Sequence, residues 1–263
     1  MKIFSGFNIP QNYCNSIILI GNFDGVHLGH QKLFKRAREF KRRYKCKIGV
    51  VTFNPMPKMF FNKKIKHFKL MNLSQKIYQF KKQKVDFLIN QKFTKNFSKI
   101  KAEMFIIKYL NKKIKTKFLF VSNNFRFGNK REGDTNLLKS YEKKCNYKLV
   151  IPSPLKKYGK IISSTEIRKL LSRGNLSEAN KYLSRYWEIE GRVQKGRRVG
   201  GKIGFATCNI DIGNYIISKP GVYSVKVKLD NVKSKINGIA NLGFRPTFNQ
   251  NKILLEVNLF NFN

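Results

Sequence analysis

Residues 16–21 read SIILIG, an unbroken apolar run short enough for a strand buried on both faces. Residues 28–43 then place Leu28, Leu33, Phe34, Ala37 and Phe40 at helical spacing between Lys and Arg, so a helix follows the strand directly. The same rhythm predicts further strands at 47–53, 85–89, 118–121 and 148–151, with helices at 74–82, 98–110 and 135–144 between them. Strand, helix, strand in succession implies a Rossmann-like parallel sheet wrapped by helices, whose ligands gather at the carboxyl ends of the strands. Two more helices, 164–172 and 177–183, close this part. The pattern then changes to short strand-like runs broken by Gly, Pro and Asn, at 187–194, 221–229, 236–242 and 253–260, as in a small β-barrel. The reading is α/β followed by β, with domains at 1–183 and 184–263.

Composition changes this picture little. A chain of 263 residues with 41% hydrophobic content supports two domains with a core each. Cys14, Cys46, Cys145 and Cys208 are scattered without a CxxC pair, which argues against a zinc cluster and against a disulfide framework, and fits a reducing cytoplasm. No run approaches the ~20 apolar residues of a membrane span, and the N-terminus lacks a cleavable leader, so a cytoplasmic protein with no membrane partner is expected. The net charge of +41 by itself suggests nucleic acid, since a basic surface gathers phosphates. Yet Lys outnumbers Arg by 42 to 13, and Asn, Ile and Phe are similarly abundant. The codons of Lys, Asn, Ile and Phe can consist wholly of A and T, so base composition accounts for the excess. No nucleic-acid partner is therefore expected, only a general attraction of phosphorylated substrates.

The candidate chemistry sits in GNFDGVHLGHQ, residues 21–31, between the first strand and the first helix. Backbone amides and the positive end of a helix dipole face whatever binds there, which makes an anion site. His27 and His30, two of only three histidines in the chain, can point at one phosphate chain, with Gly29 between them permitting a tight turn and close backbone approach. The plainer alternative is a polar turn that caps a helix. Asn22, Phe23, Asp24 and Gly25 ahead of HxGH favour the first reading. A second element, ISSTEIR at 162–168, offers the hydroxyls and amides of Ser163, Ser164 and Thr165 at a helix start, and Arg168, which can fork onto phosphate oxygens. By itself it is also an ordinary N-cap.

With both elements in place, the chain resembles the HxGH nucleotidyltransferases, and among them the bacterial bifunctional riboflavin kinase/FMN adenylyltransferase (FAD synthetase) family, over essentially its whole length. VTFNPMP at 51–57 and NNFRFGNKREGD at 123–134 carry the resemblance further. The resemblance implies that Phe53, Pro55, Asn124, Phe125 and Arg126 lie near ATP and flavin; plain core packing is the alternative for the aromatic residues. Met56 stands where the family usually has His and is given no role. The reaction implied is attack of an FMN phosphate oxygen on the α-phosphorus of ATP, with loss of pyrophosphate. Positioning and charge neutralisation by His27, His30, Arg168 and Mg²⁺ would dominate it.

In the second half, GKIGFATCN, GVYSVKV, IANLGFRPTF and LLEVNLFNFN resemble riboflavin kinase motifs. The resemblance places Gly204, Thr207 and Asn209 at ATP phosphate and Mg²⁺, and makes Glu256 the base that deprotonates the ribityl hydroxyl. Two departures bear on that activity. Ala206 and Cys208 replace the usual Pro and Ala, and the chain ends at Asn263, where the family continues with a further strand and helix. The barrel is thus expected to be incomplete and its kinase in question, with riboflavin, FMN and ATP as substrates. Open alternatives are a monofunctional FAD synthetase with an inactive kinase remnant, another HxGH nucleotidyltransferase, a basic nucleic-acid binder, and a non-catalytic remnant.

Overall fold

The computed structural model describes residues 1–157, 159–194, 207–230, 232, 234–247 and 250–261. The first sheet holds β1 (Lys2–Phe4), β2 (Ile17–Ile20), β3 (Ile48–Asn54), β4 (Phe87–Lys92), β5 (Phe118–Phe120) and β6 (Lys148–Val150). All pairs are parallel, in the order β1-β4-β3-β2-β5-β6. Every residue of β2 is buried, as its unbroken apolar run requires. One face packs Ile18, Ile20, Val51, Phe87, Ile89 and Leu119 against Ala102, Phe105, Ile106 and Leu110. On the other face, α1 (Leu28–Tyr44) sets Phe40 edge-on to Phe118 and Phe120. There α3 (Leu73–Lys82) also brings Phe80 against Phe34.

The strand order decides where a ligand can lie. From β2 the chain moves to β3 and then β4 on one side, and returns to β5 on the other side of β2. Connections therefore leave β2 and β5 in opposite directions, which makes this the switch point at whose carboxyl ends sheets of this kind hold their ligands. The 21–27 loop and the 121–134 loop follow those two strands.

The predicted elements return with informative exceptions. The 98–110 helix begins with α5 (Ala102–Met104), where Glu132 accepts the Ala102 N–H at 2.7 Å, while Thr94 caps the separate α4 (Lys95–Ser98). It runs on as a π-helix over Phe105–Lys113. The 135–144 helix splits into α6 (Thr135–Ser140) and α7 (Glu142–Cys145). The 187–194 strand is corrected to Val193–Gln194, because the Trp187 N–H donates to Asn180 Oδ1 and the Glu190 N–H to Tyr215 Oη, leaving neither for a ladder. β1, too short to show a period, was invisible in the pattern.

β7 (Lys156–Lys157) and β8 (Lys160–Ile161) form a short antiparallel pair, and the C-terminal strands are β9 (Val193–Gln194), β10 (Thr207–Ile210), β11 (Gly221–Val227), β12 (Ile236–Thr247) and β13 (Gln250–Leu259). These five form an antiparallel sheet in the order β11-β12-β13-β10-β9. By compactness the chain has two units, residues 1–66, 73–164 and 182–184 against 67–72, 165–181 and 185–263. The second unit thus also gathers the 67–72 loop, almost all of α8 (Ser164–Ser172) and most of α9 (Leu176–Leu183), where periodicity drew a single cut at 183.

Candidate functional site

The loop after β2 is held in a shape few sequences adopt. Phe23 (φ 46°), Gly25 (φ 87°) and Val26 (φ 38°) all lie in the left-handed region, which costs a non-glycine residue about 1 kcal/mol or more. Packing over-determines it: Phe23 is buried edge-on to Phe80 at 5.8 Å and tilted against Phe34 at 5.3 Å. Side chains from other segments draw its carbonyls outward. Lys76 Nζ donates to Asn22 O at 2.8 Å, Ser164 Oγ to Asp24 O at 2.6 Å, and Gln31 Nε2 to Val26 O at 3.0 Å. In a planar trans peptide the N–H opposes the carbonyl, so the amides of Phe23, Gly25 and His27 turn the other way, as an anion cradle at a helix start requires.

His27 is buried and is itself the N-cap of α1; its Nδ1 accepts the His30 N–H at 3.4 Å. The capping alternative is thus realised. With Nδ1 an acceptor, a neutral His27 carries its proton on Nε2 and can donate there. The two imidazoles stack at 3.7 Å between centroids, 23° from parallel, and Phe23 meets the His30 ring edge-on at 5.1 Å. Gly29 is helical, so the expected tight turn is corrected: Gly25 makes the turn. What Gly29 provides is clearance, since a Cβ there would lie 3.1 Å from the His27 ring and 3.2 Å from Ile162 O.

Burial holds the His30 imidazole well below its usual pKa of 6.5, and His27 and Lys76 lower it further by charge. His30 Nδ1 is buried and has no hydrogen-bond partner among the described residues. The histidine is therefore neutral in the free protein, poised to accept a proton or to turn a donor toward phosphate. The linkage follows. Because the folded pKa is depressed, unfolded chains bind the extra proton first, so the stability from neutral His30 is full above 6.5 and is lost as pH falls toward the folded pKa. Chemical denaturation between pH 7 and 5 should show stability falling as the pH falls, and His30→Gln should flatten that share of the slope.

Several sequence-predicted residues sit differently from one another. Phe53 packs near Phe93 and Phe97, both at 5.9 Å, so it does serve the core; Pro55 is exposed and Met56 buried. Asn124 is exposed and accepts from Ser122 Oγ. Phe125 stacks on Phe127 at 5.4 Å, and Arg126 pairs with Asp134 at 3.3 Å, which also caps α6. Ser163 is half-buried just before α8. Thr165 and Arg168 belong to the second unit, where the Arg168 guanidinium lies 3.9 Å over the Phe68 ring.

Two features escaped the sequence reading. Lys76, buried on α3, is one lysine among 42 and carries no local signal. Phe61, two-thirds exposed, meets Phe60 and Phe93 edge-on beyond β3, in α2 (Pro57–Phe61), and so offers a flat ligand an aromatic surface.

In the second unit, Thr207 and Asn209 share one face of β10, two residues apart. Asn209 pairs directly across the strands with Glu256 of β13, and Asn241 of β12 faces Glu256 from the other side. Asn209 Oδ1 is buried without a partner among the described residues, an oxygen that a hard divalent cation would satisfy. Gly204 lies outside the described residues. Among those described, no cluster of three or more His, Cys, Asp or Glu stands ready for a metal.

A family model described as FAD synthetase matches residues 9–166, and one described as riboflavin kinase matches 183–263. The bifunctional riboflavin kinase/FMN adenylyltransferase of Buchnera aphidicola (from Acyrthosiphon pisum) is 40% identical over 99% of this chain and 84% of its own. Those of Haemophilus influenzae (38%, over 93% and 79%) and Escherichia coli K12 (34%, over 98% and 83%) are also similar. A crystal structure described as a macrolide-efflux protein from Streptococcus pneumoniae superposes with a TM-score of 0.86 at 28% identity, over 99% of this chain and 84% of that one. Among the described residues of the present chain, no helix is long and apolar enough to cross a membrane.

Proposed function

We propose, from the premise that this chain belongs to the bifunctional riboflavin kinase/FMN adenylyltransferase family, that it makes FAD by transferring AMP from ATP to FMN and supplies FMN by phosphorylating riboflavin. One observation carries the first activity: a stacked pair of imidazoles, His27 buried and His30 half-buried, at the positive end of α1, beside a loop whose Asn22, Asp24 and Val26 carbonyls are held by side chains. That arrangement suits a triphosphate, and the transfer invokes no protein nucleophile or general base.

None is needed. The FMN phosphate is ionised at neutral pH, and one of its oxygens forms the new bond to the α-phosphorus as the bond to the β-phosphate oxygen breaks. Pyrophosphate leaves with the electron pair. His27 through Nε2, His30 and the cradle amides stabilise charge on the moving oxygens. Phe53, Phe125 and the Phe60–Phe61–Phe93 cluster supply aromatic surface for flavin and adenine.

For the kinase, Glu256 accepts the proton of the terminal ribityl hydroxyl while its oxygen attacks the γ-phosphorus and ADP leaves. Thr207 and the orphaned Asn209 Oδ1 would hold a divalent ion, Mg²⁺ by the chemistry of an all-oxygen donor set, which offsets phosphate charge when bound. The cross-strand placement of Asn209 against Glu256 supports a working module and not a vestige. Four free cysteines support a cytoplasmic setting. The +41 charge needs no nucleic acid as its partner when every substrate is, or receives, a phosphate.

The test is direct. The full chain is incubated with ATP and Mg²⁺, once with FMN and once with riboflavin, and the flavins are separated by chromatography. FAD from FMN, and FMN followed by FAD from riboflavin, are the expected products. No FAD from FMN would defeat the main reading, and no FMN from riboflavin would defeat the second.

A further inference from the structure

Lysine is almost never buried without a task, because its ammonium loses hydration worth several kcal/mol. Lys76 is 6% exposed. It sits on α3 one turn before Phe80, so the two side chains share a helix face. Through that face α3 grips one short segment twice. Phe80 packs edge-on against the Phe23 ring, and the Lys76 ammonium donates to the carbonyl of the residue before it, Asn22, at 2.8 Å. Thr52 Oγ1, on the adjoining strand β3, donates to the same carbonyl at 3.4 Å. Phe23 in turn forms the wall against which the His30 ring stands. The ammonium is also near enough to His30 for its charge to bear on that imidazole.

These contacts form one chain from α3 to the His30 ring. If the Asn22 carbonyl swings, the peptide plane turns with it, the Phe23 amide leaves the cradle, and Phe23, already in a left-handed backbone conformation, no longer backs His30. We propose that Lys76 is a positioning residue for adenylyl transfer, fixing the Asn22–Phe23 peptide so that the cradle and His30 face the triphosphate. This rests on the adenylyltransferase reading above. A lysine that only filled space on α3 would need no polar partner in the loop.

The experiment compares K76M, K76Q and K76R with wild type in the full chain, measuring FAD formed from ATP, FMN and Mg²⁺, riboflavin phosphorylation by the same preparations, and thermal midpoints. K76M and K76Q should lose about a hundredfold in kcat/KM for ATP, the larger part in kcat, as misplacement of groups at the reacting centre by about 1 Å does. K76R, which keeps charge and donor, should recover at least about tenfold of that loss. Riboflavin phosphorylation should hold in all three. Wild-type kcat in folded K76M, a change confined to the thermal midpoint, K76R no better than K76M, or failure of both neutral variants to fold would each overturn the proposal. Absence of FAD with wild type itself would instead strike the underlying reading.

Discussion

His30→Ala should lower FAD formation from ATP and FMN by about a thousandfold or more, while riboflavin phosphorylation by the same preparation stays within about twofold. The size follows from what the ring does. Its Nδ1 has no partner among the described residues, so in the free protein an imidazole at a helix start holds back hydrogen-bonding capacity that only a ligand can use. Removing a single pre-organised group that meets developing charge costs about 10²–10³ in rate, and here the loss extends to the neighbour. The His27 ring stacks on His30, so truncation leaves His27 unsupported on one face, although its Nδ1 still accepts the backbone N–H of residue 30. The fold should survive, because the strands beneath are packed by Phe34, Phe80 and the apolar runs of β2 and β3, and the void left is one half-buried ring. Circular dichroism and kinase turnover check that. Near-normal FAD formation by the folded variant would show that the histidine pair has been misread.

Glu256→Gln should have the converse effect, cutting riboflavin phosphorylation by about a thousandfold and leaving FAD synthesis from FMN unchanged. Gln keeps the shape and the ability to accept a hydrogen bond but cannot take a proton at neutral pH. The loss should therefore fall on kcat, with the KM values for riboflavin and ATP moved little. Asn209 and Asn241 flank the position across the strands, so an amide fits the row without a buried charge left unpaired. Steady-state kinetics with riboflavin and with FMN as separate acceptors decide it. Kinase activity retained in E256Q would assign the base elsewhere and reduce Glu256 to a surface carboxylate.

Much of the first unit could be read from the chain itself. The run at 16–21 and the helical spacing after it give β2 and α1 nearly to the residue, and hence the place of the loop between them. HxGH, preceded by Asn22, Phe23, Asp24 and Gly25, was legible as a candidate anion site because helix termini and backbone amides act locally. Legibility failed where one segment borrows another's hydrogen bonds. The 187–194 strand shrinks because Asn180 and Tyr215 take its N–H groups, and the 98–110 helix starts late because Glu132 caps Ala102. Gly29 was read for its flexibility, yet it is needed for the space its missing side chain leaves to His27 and Ile162.

The amino-acid order by itself determined the alternation of strands and helices, the change of rhythm toward short strands, and the identity of the residues able to handle phosphate. All of these depend on periodicity and side-chain chemistry within a few positions. Tertiary structure decided which of them meet. Lys76 reaches Asn22 only because α3 crosses the face of β2 and β3, Ser164 ties Asp24 from far along the chain, and Asn209 stands against Glu256 only in one register of β10 and β13. A shift of that register by one residue would send Glu256 to the opposite face, and no local pattern among so many lysines and asparagines states which register holds. Long-range pairing is set by the burial of whole faces at once, which is why the site became specific only when the sheet was assembled.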